Sequence, residues 1–181
     1  MKKPIILIGY MGAGKTTVGK LLAGQKGWVF IDTDAKIEEQ EGRSISDIFA
    51  ADGEDAFRDK ETVLIRQFSK ENLSQVIISV GGGLPLREEN RRLLKEIGTV
   101  VYLFALKDTI VGRVKASADR PLLQGEDLSK KVEDMLLARD PVYRQAADFL
   151  IETDEKTAEE ITEEIWKKIE KEKVEKNEDL V

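Results

Sequence analysis

The sequence predicts an α/β fold in which a single sheet of parallel strands lies between two layers of helices. Five short runs of apolar, β-favouring residues recur along the 181 residues. Between these runs, apolar residues are spaced as on one face of a helix. Strands that alternate with helices imply parallel pairing, and helices on both faces of the sheet make a three-layer α/β sandwich. The length indicates one compact domain.

The two patterns assign most of the chain to strands and helices. The predicted strands are residues 5–8, 28–31, 76–80, 99–104 and 148–151, and the predicted helices are residues 15–25, 55–70, 87–97, 129–139 and 158–172. Residues 116–127 are polar around a proline and a glycine, and we expect them to form a mobile lid. Residues 173–181 are mostly charged, and we expect a fraying helix end without a catalytic role. The single domain is therefore predicted to span residues 1–172.

Composition limits the kinds of chemistry and partner. A net charge of −6 argues against general nucleic-acid binding, which needs a basic face. The chain has no cysteine, which excludes disulfides, zinc–thiolate sites and thiol catalysis. It has no histidine, so acid–base work falls to carboxylates, lysine, tyrosine or water. The N-terminal apolar run is too short for a secretion signal or a membrane span, and we expect a cytoplasmic protein without membrane partners.

A phosphate-binding motif lies between the first predicted strand and the first predicted helix. The segment 9–17, GYMGAGKTT, fits the pattern G-x-x-x-x-G-K-[ST]. Glycines let the backbone curl so that several N–H groups point at one phosphate chain, and the helix N-terminus adds partial positive charge. Lys15 supplies a mobile cation, and the Thr16 hydroxyl is a ligand for Mg²⁺. The sequence therefore predicts a site for a nucleoside triphosphate.

Two aspartates follow the second predicted strand. Asp32 and Asp34 lie on one side of an extended segment, because residues i and i+2 share a face. A Mg²⁺ ion bound through phosphates takes a carboxylate in its coordination shells, and the second carboxylate could then face the acceptor hydroxyl. The alternative is a solvated turn in which an aspartate caps a helix that begins near Ala35.

The glycines 81–83 directly follow the third predicted strand. Three consecutive glycines cost backbone entropy, and they suit a place where a ligand approaches the main chain closely. The alternative is a loose turn. The carboxyl ends of parallel strands share one edge of the sheet, so this segment, the two aspartates and the phosphate loop should meet there.

Arginines supply candidate cations for an anionic substrate. Arg58 and Glu61 lie at i,i+3 on a predicted helix, either as a surface ion pair or as a guanidinium held by Glu61 and aimed at the substrate. Spacing alone favours the surface pair. Arg113, Arg120 and Arg139 lie in the C-terminal half. Phosphoryl transfer needs positive charge on the migrating group, and Arg120 in the predicted lid fits that need.

The ordered motifs resemble those of the shikimate kinases over about residues 5–165. The matching pieces are the segment 9–17, Asp32-Thr33-Asp34, Gly53-Glu54 with Phe57-Arg58 and Glu61, the glycines 81–83, Arg120-Pro121-Leu122-Leu123, and Arg139-x-Pro141-x-Tyr143. The resemblance implies a nucleoside monophosphate kinase-like fold with five parallel strands in the order 2-3-1-4-5. It implies transfer of the γ-phosphoryl group of ATP to the 3-hydroxyl of shikimate, in aromatic amino-acid biosynthesis. It also favours a monomer.

The resemblance implies a role for individual residues on the nucleotide side. The phosphates of ATP would be held by Gly12, Ala13, Gly14, Lys15, Thr16 and Thr17. Thr16 would ligate Mg²⁺, and Asp32 would support the metal through water. Arg120 would close over the phosphates from the lid, and Arg113 and Lys156 would lie near the adenine.

The resemblance also implies an acceptor site. Asp34 would bind the shikimate hydroxyls and orient or deprotonate the attacking one. Arg58 and Arg139 would grip the shikimate carboxylate, with Gly81 and Gly82 completing the site. Lys15, Asp34 and Arg120 would then be the catalytic residues.

Two other functions remain open from the residues. Another small-molecule kinase of the same fold, such as a gluconate kinase or a nucleoside monophosphate kinase, would share the phosphate loop. The combination of Arg58 and Arg139 with Asp34 suits a carboxylated polyol instead, since a nucleotide acceptor needs a pocket for its base. A non-catalytic nucleotide-binding module is the second alternative, and the intact Lys15 and Thr16 speak against it.

Overall fold

The computed structural model describes residues 3–116 and 128–178, with side chains described as far as residue 172. Its strands are β1 (Ile5–Ile8), β2 (Val29–Asp32), β3 (Val76–Ser79), β4 (Thr99–Phe104) and β5 (Phe149–Glu152). They pair in parallel as one sheet in the order β2-β3-β1-β4-β5. The predicted fold and strand order are confirmed, and every predicted strand lies within one residue of the observed bounds.

Helices follow each strand and cover the sheet. They are α1 (Lys15–Lys26), α2 (Thr33–Glu41), α3 (Ile45–Lys70), α4 (Glu88–Ile97), α5 (Lys107–Ala116), α6 (Leu128–Ala146) and α7 (Ala158–Glu178), with a short 3-10 turn at Leu84–Leu86. The central strands β1 and β3 are completely buried, as expected when helices pack on both faces of a parallel sheet. Over the described ranges, none of the helices combines the length and the apolar character that a membrane span requires.

The sequence prediction missed two helices and part of a third. α2 and α5 each bury only two side chains, so their apolar periodicity is too weak to detect. The missed first part of α3 is capped by Ser44, whose hydroxyl accepts a hydrogen bond from Asp47 N at 3.1 Å. One predicted helix end was also wrong, because α6 continues through Pro141 to Ala146 rather than ending at residue 139. α7 runs to Glu178, into the segment expected to be a fraying helix end.

A glycine bends α3 just before its functional part. Gly53 has φ 84° and ψ 172°, a conformation outside the helical region that side-chain-bearing residues rarely adopt. The bend separates the segment that begins at Ile45 from the longer segment that ends at Lys70. The second segment carries Arg58 and Glu61, so the bend sets the direction from which these side chains reach the sheet.

The last helix packs through two tryptophans against the chain between α1 and β2. Trp28 and Trp166 meet edge to face, with ring centres 5.3 Å apart and planes at 87°. Lys26 Nζ lies 4.8 Å from the centre of the Trp166 ring. Trp28 immediately precedes β2, so this contact lies at the amino end of the strand. α7 is thereby fixed to the body of the domain away from the carboxyl edge of the sheet.

Candidate active site

Three segments that follow neighbouring strands meet at the carboxyl edge of the sheet. β1 leads into the phosphate loop, β2 ends at Asp32, and β3 leads through Val80 into the glycines 81–83. β3 lies between the other two strands, and its Ser79 is level with both Asp32 and Leu7. This is the edge at which open α/β sheets bind ligands.

The phosphate loop curls around three glycines with positive φ. Gly9, Gly12 and Gly14 have φ values of 146°, 82° and 94°. A Cβ at Gly9 would also stand 2.5 Å from the Leu103 carbonyl oxygen, so both backbone conformation and space require glycine there. No side chain caps the start of α1. The N–H groups of its first turn are thus left for a ligand, and they favour an anion.

Lys15 is folded back over this loop. Its Nζ donates hydrogen bonds to the carbonyl oxygens of Gly9 at 2.8 Å and Tyr10 at 3.1 Å. The loop conformation is supported by a further bond from Ala13 N to the Tyr10 carbonyl oxygen at 3.1 Å. The ammonium charge therefore lies against the backbone that would surround the phosphates.

Asp32 joins the loop to α2. Its Oδ2 accepts a hydrogen bond from the Thr16 hydroxyl at 3.2 Å. Its Oδ1 accepts bonds from Asp34 N and Ala35 N at 3.1 and 3.4 Å, which cap α2. The alternative, a helix capped by an aspartate, is confirmed for Asp32, and the same carboxylate also contacts Thr16. Over the described residues, no group of three or more carboxylates forms a metal-binding cluster.

Asp34 lies in the first turn of α2 and is not part of an extended segment, so the argument that placed it beside Asp32 was wrong. Its Oδ1 is buried and has no hydrogen-bond partner among the described residues. Burial, reinforced by the Asp32 carboxylate, raises the pKa of Asp34 to about 6, against the opposing effect of Lys15 and Arg58. At neutral pH the carboxyl group is mostly ionised and can accept a hydrogen bond from a ligand hydroxyl.

Arg58 reaches the same place from α3. Its Nη1 donates to Glu61 Oε2 at 2.8 Å, and its Nη2 donates to Glu54 Oε1 at 2.9 Å. The Glu61 side chain is 0% exposed, whereas that of Glu54 is 65% exposed. The surface ion pair favoured by spacing is therefore wrong for Glu61. Burial raises the pKa of Glu61 to about 7, although Arg58 opposes the shift.

The glycines 81–83 leave room for charged side chains. None of the three has a positive φ, so backbone conformation does not require them. A Cβ at Gly81 would stand 2.5 Å from Asp34 Oδ1 and 2.9 Å from Glu61 Oε1, and a Cβ at Gly83 would overlap the Arg58 guanidinium. The segment is tied to α2, since Gly81 N donates to the Thr33 hydroxyl at 3.1 Å.

Arg139 completes this cluster from α6. A Cβ at Gly82 would lie 3.6 Å from both Arg139 Nη1 and the Tyr143 hydroxyl. That hydroxyl donates to the Gly82 carbonyl oxygen at 2.6 Å, and the positive charge of Arg139 acts on it. Burial raises the pKa of Tyr143, so the phenol stays protonated and keeps donating. Two guanidinium groups, from different helices, therefore lie near one glycine segment beside Asp34.

Comparison with known proteins identifies the family. The model of the shikimate kinase family matches residues 11–170. The chain belongs to the shikimate kinase family. A shikimate kinase from Neisseria gonorrhoeae is 44% identical over 149 residues, which cover 82% of this chain and 86% of that protein. A shikimate kinase from Thermodesulfovibrio yellowstonii is 42% identical over 169 residues, covering 93% and 96% of the two chains.

Solved shikimate kinases have the same fold. The structure of shikimate kinase from Acinetobacter baumannii in complex with shikimate superposes with a TM-score of 0.88 at 38% identity, covering 96% of each chain. The shikimate kinase from Aquifex aeolicus gives a TM-score of 0.78 at 35% identity, covering 92% of this chain and 96% of that one. This chain is thus an enzyme of the kinase class, with ATP as its co-substrate.

The residues predicted on the adenine side of this shikimate kinase fold contact the end of β5 and α7. Arg113 bridges the loop and the end of β5, because it donates to the Gly12 carbonyl oxygen at 3.1 Å and the Thr153 carbonyl oxygen at 3.2 Å. Lys156 pairs with Glu164 at 2.6 Å. Arg120 and the predicted lid lie outside the described residues, apart from Ala116, which ends α5.

Three contributors to the site had no assigned role in the sequence analysis. Tyr10 and Tyr143 both contact Arg139, and Glu54 shares Arg58 with Glu61. Tyr143 had a detectable signal, since it follows Arg139 by four residues and therefore shares its helix face. Tyr10 had none, because the pattern of a phosphate loop leaves its position variable.

Proposed function

We propose that this chain transfers the γ-phosphoryl group of ATP to the 3-hydroxyl of shikimate, giving shikimate 3-phosphate and ADP in aromatic amino-acid biosynthesis. One observation carries the proposal. Arg58 and Arg139 approach the glycines 81–83 from two helices, next to the phosphate loop and beside Asp34, whose Oδ1 has no hydrogen-bond partner among the described residues. Two cations and one carboxylate suit a small molecule that carries a carboxylate and hydroxyl groups.

The nucleotide side of the reaction is assigned to the phosphate loop. The backbone from Gly12 to Thr17 and the Lys15 ammonium hold the β- and γ-phosphates, and their positive charge offsets the charge that moves in the transition state. Arg113 and Lys156 lie towards the adenine. Arg120 would close over the γ-phosphate from the lid, residues 116–127, of a domain that spans residues 1–172.

Mg²⁺ is proposed to accompany ATP. The Thr16 hydroxyl and the Asp32 carboxylate lie 3.2 Å apart, so Thr16 would offer an oxygen ligand beside the phosphate loop and Asp32 would support the ion through water. Hard oxygen ligands suit this ion, which usually completes its shell with phosphates and water. When bound, it would neutralise charge on the β- and γ-phosphates.

The acceptor is positioned by charge on both sides. The guanidinium groups of Arg58 and Arg139 bind the shikimate carboxylate, and Gly81 and Gly82 let the ring lie close to the main chain. Asp34 accepts a hydrogen bond from the 3-hydroxyl through its otherwise unpaired Oδ1. Glu61 orients the Arg58 fork from its buried position.

The chemical step follows from this arrangement. The oxygen of the 3-hydroxyl bonds to the γ-phosphorus while the bond between that phosphorus and the bridging oxygen of ADP breaks. The hydroxyl proton passes to the Asp34 carboxylate. If the transition state is loose, little base strength is needed, so positioning and charge stabilisation contribute most of the acceleration.

A coupled ADP-release assay with ATP and Mg²⁺ tests the function. Shikimate, gluconate, AMP and CMP are offered in turn, and we expect turnover with shikimate alone. Lys15→Ala serves as the inactive control for contaminating kinases. Turnover with another acceptor and none with shikimate would contradict the proposal.

The enzyme is also proposed to act in the cytoplasm without nucleic-acid or membrane partners. It is proposed to act as a monomer, since one chain supplies every residue assigned above.

A further inference from the structure

Tyr10 occupies a variable position of the phosphate loop, yet its side chain is 1% exposed. The phenol donates a hydrogen bond to Met135 Sδ at 3.2 Å, and the guanidinium carbon of Arg139 lies 5.8 Å from the ring centre. The backbone carbonyl of the same residue accepts the hydrogen bonds from Lys15 Nζ and Ala13 N. Tyr10 therefore contacts the loop through its main chain and α6 through its side chain.

Arg139 is held differently from Arg58. Arg58 pairs with two glutamates, one of them buried. Within the described residues, no carboxylate forms an ion pair with Arg139, which instead contacts the Tyr10 ring and the Tyr143 hydroxyl. A guanidinium held by aromatic groups keeps its donors available for a ligand carboxylate, because a ring occupies its face and not its edge.

Tyr143 alone does not account for the position of Arg139. Its hydroxyl also bonds to the Gly82 carbonyl oxygen, so it fixes the side of Arg139 next to the glycines. Tyr143 and Arg139 both belong to α6, and their contact moves with that helix. Tyr10 is the contact that comes from a different element, namely the loop that begins after β1.

We propose that Tyr10 is a positioning residue whose ring holds Arg139 in the acceptor site and links it to the phosphate loop. The inference rests on the proposed function, in which Arg139 binds the shikimate carboxylate. A nucleotide that orders the loop also orders the Tyr10 ring, and the ring then restricts Arg139. Nucleotide binding must accordingly change the affinity for shikimate, and shikimate must change the affinity for nucleotide by the same factor.

The experiment measures the dissociation constant of shikimate by calorimetry, with and without saturating ADP and Mg²⁺. Tyr10→Leu removes the ring, and Tyr10→Met removes it with a flexible side chain that fills the same space if the leucine variant does not fold. Tyr10→Phe keeps the ring and loses only the hydroxyl. Phe68→Leu is the matched control, because it removes a buried ring near the far end of α3.

We expect Tyr10→Leu to weaken shikimate binding by about 3- to 30-fold, the range for a partly desolvated cation over a ring. The ratio of the shikimate dissociation constants measured with and without ADP and Mg²⁺ should also move towards one. Tyr10→Phe should restore both quantities, and Phe68→Leu should lower the melting temperature while leaving both unchanged.

Other outcomes separate the alternatives. If Tyr10→Leu and Tyr10→Met lower the melting temperature but keep the wild-type affinity and ratio, Tyr10 only fills the core and the inference is wrong. A wild-type ratio of one would also overturn it, while leaving the proposed function intact. A wild-type protein that does not bind shikimate would overturn the proposed function and this inference together.

Discussion

Arg58 and Glu61 form an ion pair of 2.8 Å in which the carboxylate is fully buried and the guanidinium is 16% exposed. Glu54 holds the same guanidinium from the solvent side. The two glutamates therefore share one partner and one helix but differ in burial. This difference makes them a matched pair for measuring what burial contributes to an arginine that binds an anion.

Replacing Glu61 should be far more harmful than replacing Glu54. Glu61→Ala removes one partner of a buried pair and should lower the free energy of unfolding by about 1–3 kcal/mol, because Glu54 still pairs with Arg58. Glu54→Ala breaks an exposed i,i+4 pair and should cost only a few tenths of a kcal/mol. Urea unfolding measures the stability, and steady-state kinetics should show a raised KM for shikimate in Glu61→Ala alone. Equal losses in the two variants would mean that burial of Glu61 contributes little.

The stability of the protein without ligands should fall as the pH rises from about 5 to 7. On folding, the pKa of Glu61 is raised from 4.5 to about 7 and that of Asp34 from 3.8 to about 6, so in this window the folded state keeps protons that the unfolded state has released. The stabilisation from each group is complete below its unfolded pKa and is lost as the pH rises through its folded pKa, at up to about 1.4 kcal/mol per pH unit for each group. Denaturation midpoints across the window measure the slope, which Glu61→Gln should reduce. A slope that is the same in wild type and Glu61→Gln would show that another group is responsible.

Lysine should not be able to take over the function of Arg58 or Arg139 in the proposed acceptor site. A point charge cannot reproduce a bidentate fork, so Arg58→Lys and Arg139→Lys should raise the KM for shikimate roughly tenfold or more, with a smaller effect on kcat. Arg66→Lys is the control, because Arg66 makes a comparable two-point contact with Glu89 on the surface. Wild-type shikimate KM values in both site variants would remove the arginines from the acceptor site.

Arg120 should act on turnover more than on binding. Its charge is proposed to stabilise the transferring phosphoryl group, so Arg120→Ala should lower kcat roughly a hundredfold and change the shikimate KM little. Initial rates over a grid of ATP and shikimate concentrations separate the two effects. A change confined to the shikimate KM would contradict the lid assignment.

Gly83→Ala should disturb the site without unfolding the protein. The added Cβ overlaps the Arg58 guanidinium, which is the mobile end of a long side chain and can move aside. The expected result is a higher KM for shikimate and, because the shift disturbs the buried pair with Glu61, a lower melting temperature. Gly24→Ala is the matched control, since a Cβ there meets nothing within 4 Å inside α1. That variant should gain about 0.5–1 kcal/mol of stability with normal kinetics. An unchanged shikimate KM in Gly83→Ala would show that Arg58 tolerates displacement.

The fold and the edge of the sheet that holds the site were predictable, because strand ends can be read from apolar runs. Asp32, Asp34 and the glycines 81–83 follow those ends directly, and the structure brings them together. The physical reason for three consecutive glycines at residues 81–83 was less predictable. The glycines make room for side chains of α2 and α3, and that contact joins elements distant in sequence.

The spacing of residues along the sequence could not predict which side chains are buried or how they are oriented. An i,i+3 pair looks the same on a solvated face as on a buried one, so Glu61 was assigned to the surface. Asp34 was placed on a strand because a helix as short and polar as α2 leaves little periodicity. The role of Tyr10 could not be predicted for a related reason, since its ring meets Met135 and Arg139 only when α6 packs against the loop.

The edge-to-face pair of Trp28 and Trp166 also gives the enzyme a built-in optical probe. The chain contains only these two tryptophans, and both lie where α7 meets the body of the domain. Intrinsic fluorescence and near-ultraviolet circular dichroism should therefore report whether the last helix is docked. The signal comes from the amino end of β2, whereas the substrates are proposed to bind at its carboxyl end, so a fluorescence-detected melt follows docking of α7 rather than occupancy of the active site.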